Sequence, residues 1–222
     1  MWHPRRVVEG VTKFRAEHHH GGDGLSDRRR HHELIAWRKI LFDLGLIGQD
    51  PRRYDGAGYG NISVRVGAPS APRGRRRFLV TGTQTGGLEA MDESALCLVE
   101  AYDLRTNEVW SRGPSAPSSE SMTHGAIYDL STRIRWVVHV HSPVVWRRAA
   151  ELRLPTTATN IDYGTPEMAF EVRRLYRDTH LADFGVLAMG GHEDGFISFG
   201  HTCAEASSRL LQLYARALMR TS

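Results

Sequence analysis

The sequence predicts one α/β layered domain in which a largely antiparallel sheet is covered by helices. Three observations carry that expectation. Short apolar segments such as RRFLVTGT, ALCLVEAYDL and EVWSRG follow one another with turn residues between them. A segment with helical spacing precedes them, and helical and strand-like segments alternate after them. The chain has 222 residues, 41% hydrophobic and 24% charged, which is ordinary for a globular protein and enough for one large core.

The elements follow in order. Residues 1–25 read as an N-terminal arm and mobile loop, because AEHHHGGDGLSD at 16–27 is polar and Gly-rich; residues 26–222 read as the domain. Ser26 is a candidate N-cap. After it Leu34, Ile35, Trp37, Ile40, Leu41 and Leu44 keep helical spacing until Gly45 or Gly48. GYGNISVRV passes from a Gly-rich turn into a strand at 61–66. RRFLVTGT, ALCLVEAYDL and EVWSRG are further strands, with RTN as the hairpin turn between the last two. SESMTHGAIYDLS is helical, WVVHVHS a strand and VVWRRAAEL a short helix. Thr165 caps a helix that opens with Pro166 and runs to Thr179. GVLAMGG and GFISFG are strands. Thr202 and Glu205 form a capping box for the last helix, whose apolar set is Leu210, Leu211, Leu213, Tyr214 and Leu218.

Composition excludes several classes. No apolar stretch approaches the roughly 18 residues that span a bilayer. MWHPRRVVEGVTKF has neither an apolar h-region nor a small-residue cleavage site, so no secretion signal and no membrane partner are expected. Two cysteines, Cys97 and Cys203, make neither a disulfide framework nor a cysteine zinc site; a cytoplasmic location fits. The net charge of +4 comes from arginine runs, DRRRHH at 27–32 and RGRRR at 73–77. No aromatic residues interleave them and no nucleic-acid motif accompanies them. They read as a solvated helix start and strand edge, still compatible with small anions, and nucleic acid is not expected as a partner.

The chemistry concentrates at RWVVHVHSP, 135–143. In a strand, residues two apart share a face, so His139 and His141 lie side by side opposite Val138 and Val140. Such a pair can hold a metal or sit as satisfied core histidines; the paired spacing favours metal. His192, in the Gly-rich GGHEDGFISFG, is a further candidate ligand. Glu120, at a helix start in PSSESMTH, is a candidate ligand or proton carrier. His124, one turn on, is equally a ligand or a packed residue. The run His18–His20 lies in a setting suited only to adventitious binding. For anions, GYGNIS offers Asn61, TGTQTGG offers Thr81, Thr83 and Thr85, and PSSE offers Ser118 and Ser119.

In this order GNIS at 60–63, LVTGTQTG at 79–86, PSSE at 117–120, HVHS at 139–142 and GHEDGFISFG at 191–200 resemble the class II aldolase/adducin family over roughly residues 30–220. The resemblance implies a three-layer α/β/α fold with a central, mainly antiparallel sheet. It implies one divalent metal per subunit, usually Zn2+, held by three histidines, here His139, His141 and His192, with Glu120 as acid/base. It also implies homotetramers with interface active sites, and a sugar or sugar-phosphate substrate contacted at Asn61, Thr83, Ser118 and Ser119. Aldolase-type lyase chemistry through an enediolate is the first expectation. Epimerase, dehydratase or decarboxylase chemistry on the same metal, or a non-catalytic adducin-like scaffold, are the alternatives. Four departures stand out. The usual third-ligand column, counted back from Gly200, holds Asp194 rather than His192; a two-residue loop adjustment delivers His192, and a mixed site with Asp194 is the alternative. Gln84 replaces a glycine after the phosphate threonine. The aldolase tyrosine falls at Asn160, with Tyr163 nearby. The arm VVEGVTKFRAEHHHGG has no counterpart in the common pattern.

Overall fold

The computed structural model describes residues 11–21 and 28–219. In chain order these form β1 (Arg15–His20), α1 (Arg28–Asp43), β2 (Gly48–Gln49), β3 (Gly58–Tyr59), β4 (Asn61–Arg65), β5 (Phe78–Thr81), β6 (Leu96–Asp103), β7 (Glu108–Gly113), α2 (Ser121–Tyr128), β8 (Trp136–His141), α3 (Pro143–Trp146), α4 (Pro166–Asp178), α5 (Leu181–Phe184), β9 (Val186–Ala188), β10 (Gly195–Gly200) and α6 (Cys203–Leu218). Among the described residues one eight-stranded sheet runs β1-β7-β6-β5-β4-β8-β10-β9. Its neighbours are antiparallel except β1 with β7, which is parallel. No helix among the described residues is long and apolar enough to cross a membrane.

The period-two alternation of the strands divides the core into two layers. Trp136, Val138 and Val140 of β8 pack with Leu34 and Leu41 of α1, Val145 of α3 and Leu210 and Leu213 of α6. Val137, from the opposite face of β8, packs with Ile127 of α2 and Met168, Val172 and Leu175 of α4. Helices therefore cover both faces, giving the expected three-layer α/β/α arrangement with a mainly antiparallel sheet. The expected caps form. Thr165 Oγ1 accepts from Met168 N–H at 3.3 Å ahead of Pro166. Thr202 Oγ1 accepts from Glu205 N–H at 3.1 Å, and Glu205 Oε2 accepts from His201 N–H at 2.8 Å.

Two expectations need correction. The sequence predicts a loop over 16–20, yet these residues belong to β1, in register from Arg15 opposite Glu108 to His20 opposite Gly113. β7 would otherwise leave a row of backbone groups unpaired at the sheet edge. A polar strand can cover it, because its own outer face meets solvent; Glu17, for example, accepts from Trp110 Nε1–H at 3.1 Å. Residues 22–27 of the expected loop, Ser26 among them, lie outside the described residues. The β2–β3 ladder is absent from the sequence expectation. It stacks backbone against the loop after β5. A Cβ on Gly86 would stand 2.6 Å from the Gly48 carbonyl and 2.8 Å from Tyr59 N, so only glycine fits.

That loop is pinned by a buried cation that sequence reasoning does not single out. Arg38, on α1, is 1% exposed and donates to the carbonyls of Thr85 (3.0 Å), Gly86 (2.6 Å) and Leu88. Without it three carbonyls lose their donor, and those of Thr85 and Gly86 are in buried bonds. Arg38→Met keeps most of the volume and removes the donors. It is expected to destabilise the fold by about 3 kcal/mol in urea denaturation; an unchanged midpoint would show that the loop holds itself.

Candidate metal centre

β8 lies between β4 and β10, with His139 opposite Asn61 on one side and Ile197 on the other, and His141 opposite Gly195. The register sets the two rings side by side. The third ring comes from the turn before β10. His192 N–H donates to the Met189 carbonyl (3.1 Å) and Gly195 N–H to the His192 carbonyl (3.0 Å), folding the ring back over the sheet. Gly195 permits this, since a Cβ there would meet His192 Cδ2 at 2.8 Å. The His141 Nε2 atom then stands 3.1 Å from His139 Nε2 and 3.0 Å from His192 Nε2. All three residues are buried, and they form the metal-capable cluster found among the described residues.

The chemistry of these donors fits a cation. His139 Nδ1–H donates to the Phe196 carbonyl at 3.3 Å, which leaves a lone pair on Nε2. His192 Nδ1 lies 3.2 Å from Glu120 Oε1, a neighbour that favours the ring proton on Nδ1 and again bares Nε2. Carboxylate and carbonyl partners behind the ring are the usual support of metal-binding imidazoles. Burial, then the neighbouring His192 and His139 and the charge of Arg53, hold His141 well below its ordinary pKa, in the neutral, ligand-competent form. Nitrogens about 2.1 Å from one tetrahedral ion stand roughly 3.4 Å apart, a few tenths of an ångström wider than here. The lone pairs that crowd one point are those a divalent cation would take.

Glu120 is 1% exposed and lies behind His192, outside the three-nitrogen set. Burial alone would raise its carboxyl. The His192 ring 3.2 Å away, with His139 and the Thr123 hydroxyl nearby, outweighs burial and holds the group at about 2. It is therefore ionised. His124 is not part of the cluster: its Nδ1 pairs with Ser63 Oγ at 2.7 Å, and burial, only partly offset by Glu120, pushes it down to about 3.

Asp194 lies outside the three-nitrogen cluster. It accepts from Tyr54 Oη–H at 2.7 Å and lies 3.6 Å from Arg53 Nη2. The Tyr54 ring meets His141 edge-on at 4.9 Å, and Arg53 stacks between Tyr54 and Tyr59. Sequence reasoning misses this Arg53–Tyr54–Asp194 group; the one signal is the unusual length and aromatic content of QDPRRYDGAGY before GNIS. Asn160 is exposed, whereas Tyr163 is buried with its ring 4.4 Å from His192. The arm reaches here too. Val11 N–H donates to Tyr163 Oη (3.0 Å), and Lys13 Nζ stands 4.2 Å above the Tyr163 ring.

Beside the cluster, Asn61, Thr83, Ser118 and Ser119 line one niche with Gly82 and Gly86. The four expected phosphate residues do converge. Asn61 Oδ1 is buried without a hydrogen-bond partner among the described residues. Gln84, at φ 57°, occupies a left-handed position, which accounts for the glycine usual there in the resembled family.

Comparison with known proteins bears on this arrangement. Residues 50–219 match the family model described as the class II aldolase and adducin N-terminal domain. The L-fuculose-1-phosphate aldolase of Thermus thermophilus is similar in structure, with TM-score 0.60 and 21% identity over 87% of this chain and 93% of that one. A sugar-phosphate aldolase of Thermotoga maritima has TM-score 0.64 and 17% identity over 86% and 93%. YgbL of Escherichia coli, described as a candidate aldolase, epimerase or decarboxylase, has TM-score 0.63 and 18% identity over 86% and 88%. At such identities the likeness is one of fold. No curated protein matches the chain.

Chelator-treated protein titrated with Zn2+ is expected to bind one ion per chain, and His139→Ala or His192→Ala to abolish that stoichiometric binding. Glu120→Gln, which removes a charge behind a ring rather than a ligand, should weaken it about tenfold. Equal affinity in all variants would place the metal elsewhere.

Proposed function

The chain belongs to the class II aldolase and adducin family, and on that premise we propose that it is a metal-dependent lyase that makes or breaks a carbon–carbon bond of a sugar or sugar phosphate. One observation carries the reading: the anion niche and the imidazole cluster adjoin through the backbone. Asn61 pairs with His139 across the ladder, and Ser119 precedes Glu120. A substrate with its phosphate in the niche would present its carbon chain to the histidines.

His139, His141 and His192 would hold the ion, which we assign as Zn2+ from the all-nitrogen donor set. When bound, it would polarise the substrate's carbonyl and hydroxyl oxygens. Glu120, ionised and buried, would accept a proton at a carboxylate oxygen and return it. Ser118, Ser119 and Thr83 hydroxyls and the Asn61 amide would donate to the phosphate. Tyr163 and the arm over it would keep water from the His192 side. We extend the reading to residues 26–222 as the catalytic domain, to a homotetramer with interface sites, and to the cytoplasm. Two buried free cysteines fit the last of these.

The test is a screen of sugars and sugar phosphates on zinc-loaded protein. Glu120→Gln, saturated with metal, is expected to lose about 10²–10⁴ in kcat. Ser119→Ala should act mainly on KM for phosphorylated substrates. A cleavage rate that survives Glu120→Gln would remove the proton role. Stable folding with no metal and no turnover would favour the scaffold reading.

A further inference from the structure

A cavity of about 630 Å3 opens at the far end of the sheet, lined by Arg29, Arg30, Arg135, Trp136 and Pro69, with Glu33 as the one acidic residue among the lining side chains. β4 and β8 connect it to the metal end: Val64 pairs with Trp136, as Asn61 pairs with His139. Trp136 and His141 are five residues apart on β8, so the two ends are roughly 17 Å apart.

The cations here are crowded by construction. The Arg65 carbonyl accepts from both Arg30 Nη1–H (2.6 Å) and Arg135 Nη2–H (3.1 Å). The Arg65 guanidinium itself is fully buried, and its two Nη groups donate to the carbonyls of Thr132, Ala68 and Pro69. Arg135 Nη1 is buried with no hydrogen-bond partner among the described residues. Burial and the charges of Arg30 and Arg65 lower the Arg135 pKa, so the group gains from an added anion. The start of α6 does not supply the contact, because Thr202 and Glu205 already cap it.

We propose that this cavity is a second ligand site, distinct from the metal centre, that binds a phosphorylated organic small molecule. Guanidinium forks match phosphate oxygens in pairs, and several of them together favour an anion of charge about −2. The volume exceeds what a bare phosphate needs and falls in the range of small-molecule pockets. Trp136 and Pro69 offer an apolar wall for a carbon skeleton. The arginine run at the start of α1 thereby acquires a use beyond solvation.

Calorimetric titration of inorganic phosphate and of phenyl phosphate into the full, metal-loaded chain tests the proposal and does not depend on the reaction catalysed. A saturable event is expected that Arg135→Gln and Arg29→Glu each weaken by about tenfold or more and that Ser119→Ala leaves intact. Phenyl phosphate should bind this site more tightly than inorganic phosphate. Arg29 is exposed, so Arg29→Glu reports even if Arg135→Gln does not fold. Absence of binding, wild-type titrations in the arginine variants, or loss of all binding in Ser119→Ala would overturn the proposal. Equal affinity for the two ligands would overturn its organic half.

Discussion

The antiparallel pairing of β8 between β4 and β10 is the constraint on which the rest of the structure depends. It sends Trp136, Val138 and Val140 into one core layer, and Val137, His139 and His141 towards the other. A slip of one residue would exchange the two sets, burying imidazoles among leucines and aiming valines at Glu120. The dry packing of Val138 and Val140 against α1, α3 and α6 therefore holds the polar face in place. At about 25 cal/mol per Å2 of apolar surface, two buried valines contribute on the order of 3 kcal/mol towards that register. The core positions the site, and the site does not stabilise itself.

The electrostatics of the cluster follow from its burial. Three imidazoles without water lose the option of charging together, because desolvation and mutual repulsion both oppose it. Glu120 escapes the same penalty because the ring of His192 faces it at 3.2 Å. One carboxylate thus stays ionised beside nitrogens that present lone pairs. That combination has an excess of negative potential at a single point, and the fit to a divalent cation rests on it rather than on ring count. The distal arginines show the complementary situation. There the excess is positive, and the Arg65 carbonyl is already shared between two donors.

Much of this was legible in the sequence. Alternation gave β8 and its two faces, hydroxyl and proline signals gave the starts of α4 and α6, and the family resemblance carried by GNIS, TGTQTG, PSSE and HVHS implied which residues would share a site. The choice between His192 and Asp194 was not legible, since it depends on how the loop before β10 folds. β1 was hidden because an edge strand covered on one side only needs no apolar pattern. Arg38 was hidden because a buried arginine on a helix looks like any solvated one until its three carbonyl partners are known. The distal cavity is legible only in space, because Arg29 and Arg30 of α1 lie far along the chain from Arg135.

Four of the six described non-glycine residues at positive φ lie in loops beside the cluster or the niche. Tyr54, Asp55, Gln84 and Asp194 are non-glycine residues at φ between 51° and 63°. Each such position costs of order 1 kcal/mol or more and persists only if its surroundings fix it. Tyr54 and Asp194 fix each other through the 2.7 Å bond from the phenol to the carboxylate, and Arg53 braces the phenol from the other side. The result is a closed circuit: β10 carries the turn of His192 and Asp194, Asp194 holds Tyr54, and Tyr54 presses on His141 of β8, which pairs back to β10. Two strands and two strained loops thereby determine one point in space. A position over-determined in this way holds the ring nitrogens of His139 and His192 within 3.1 Å of that of His141.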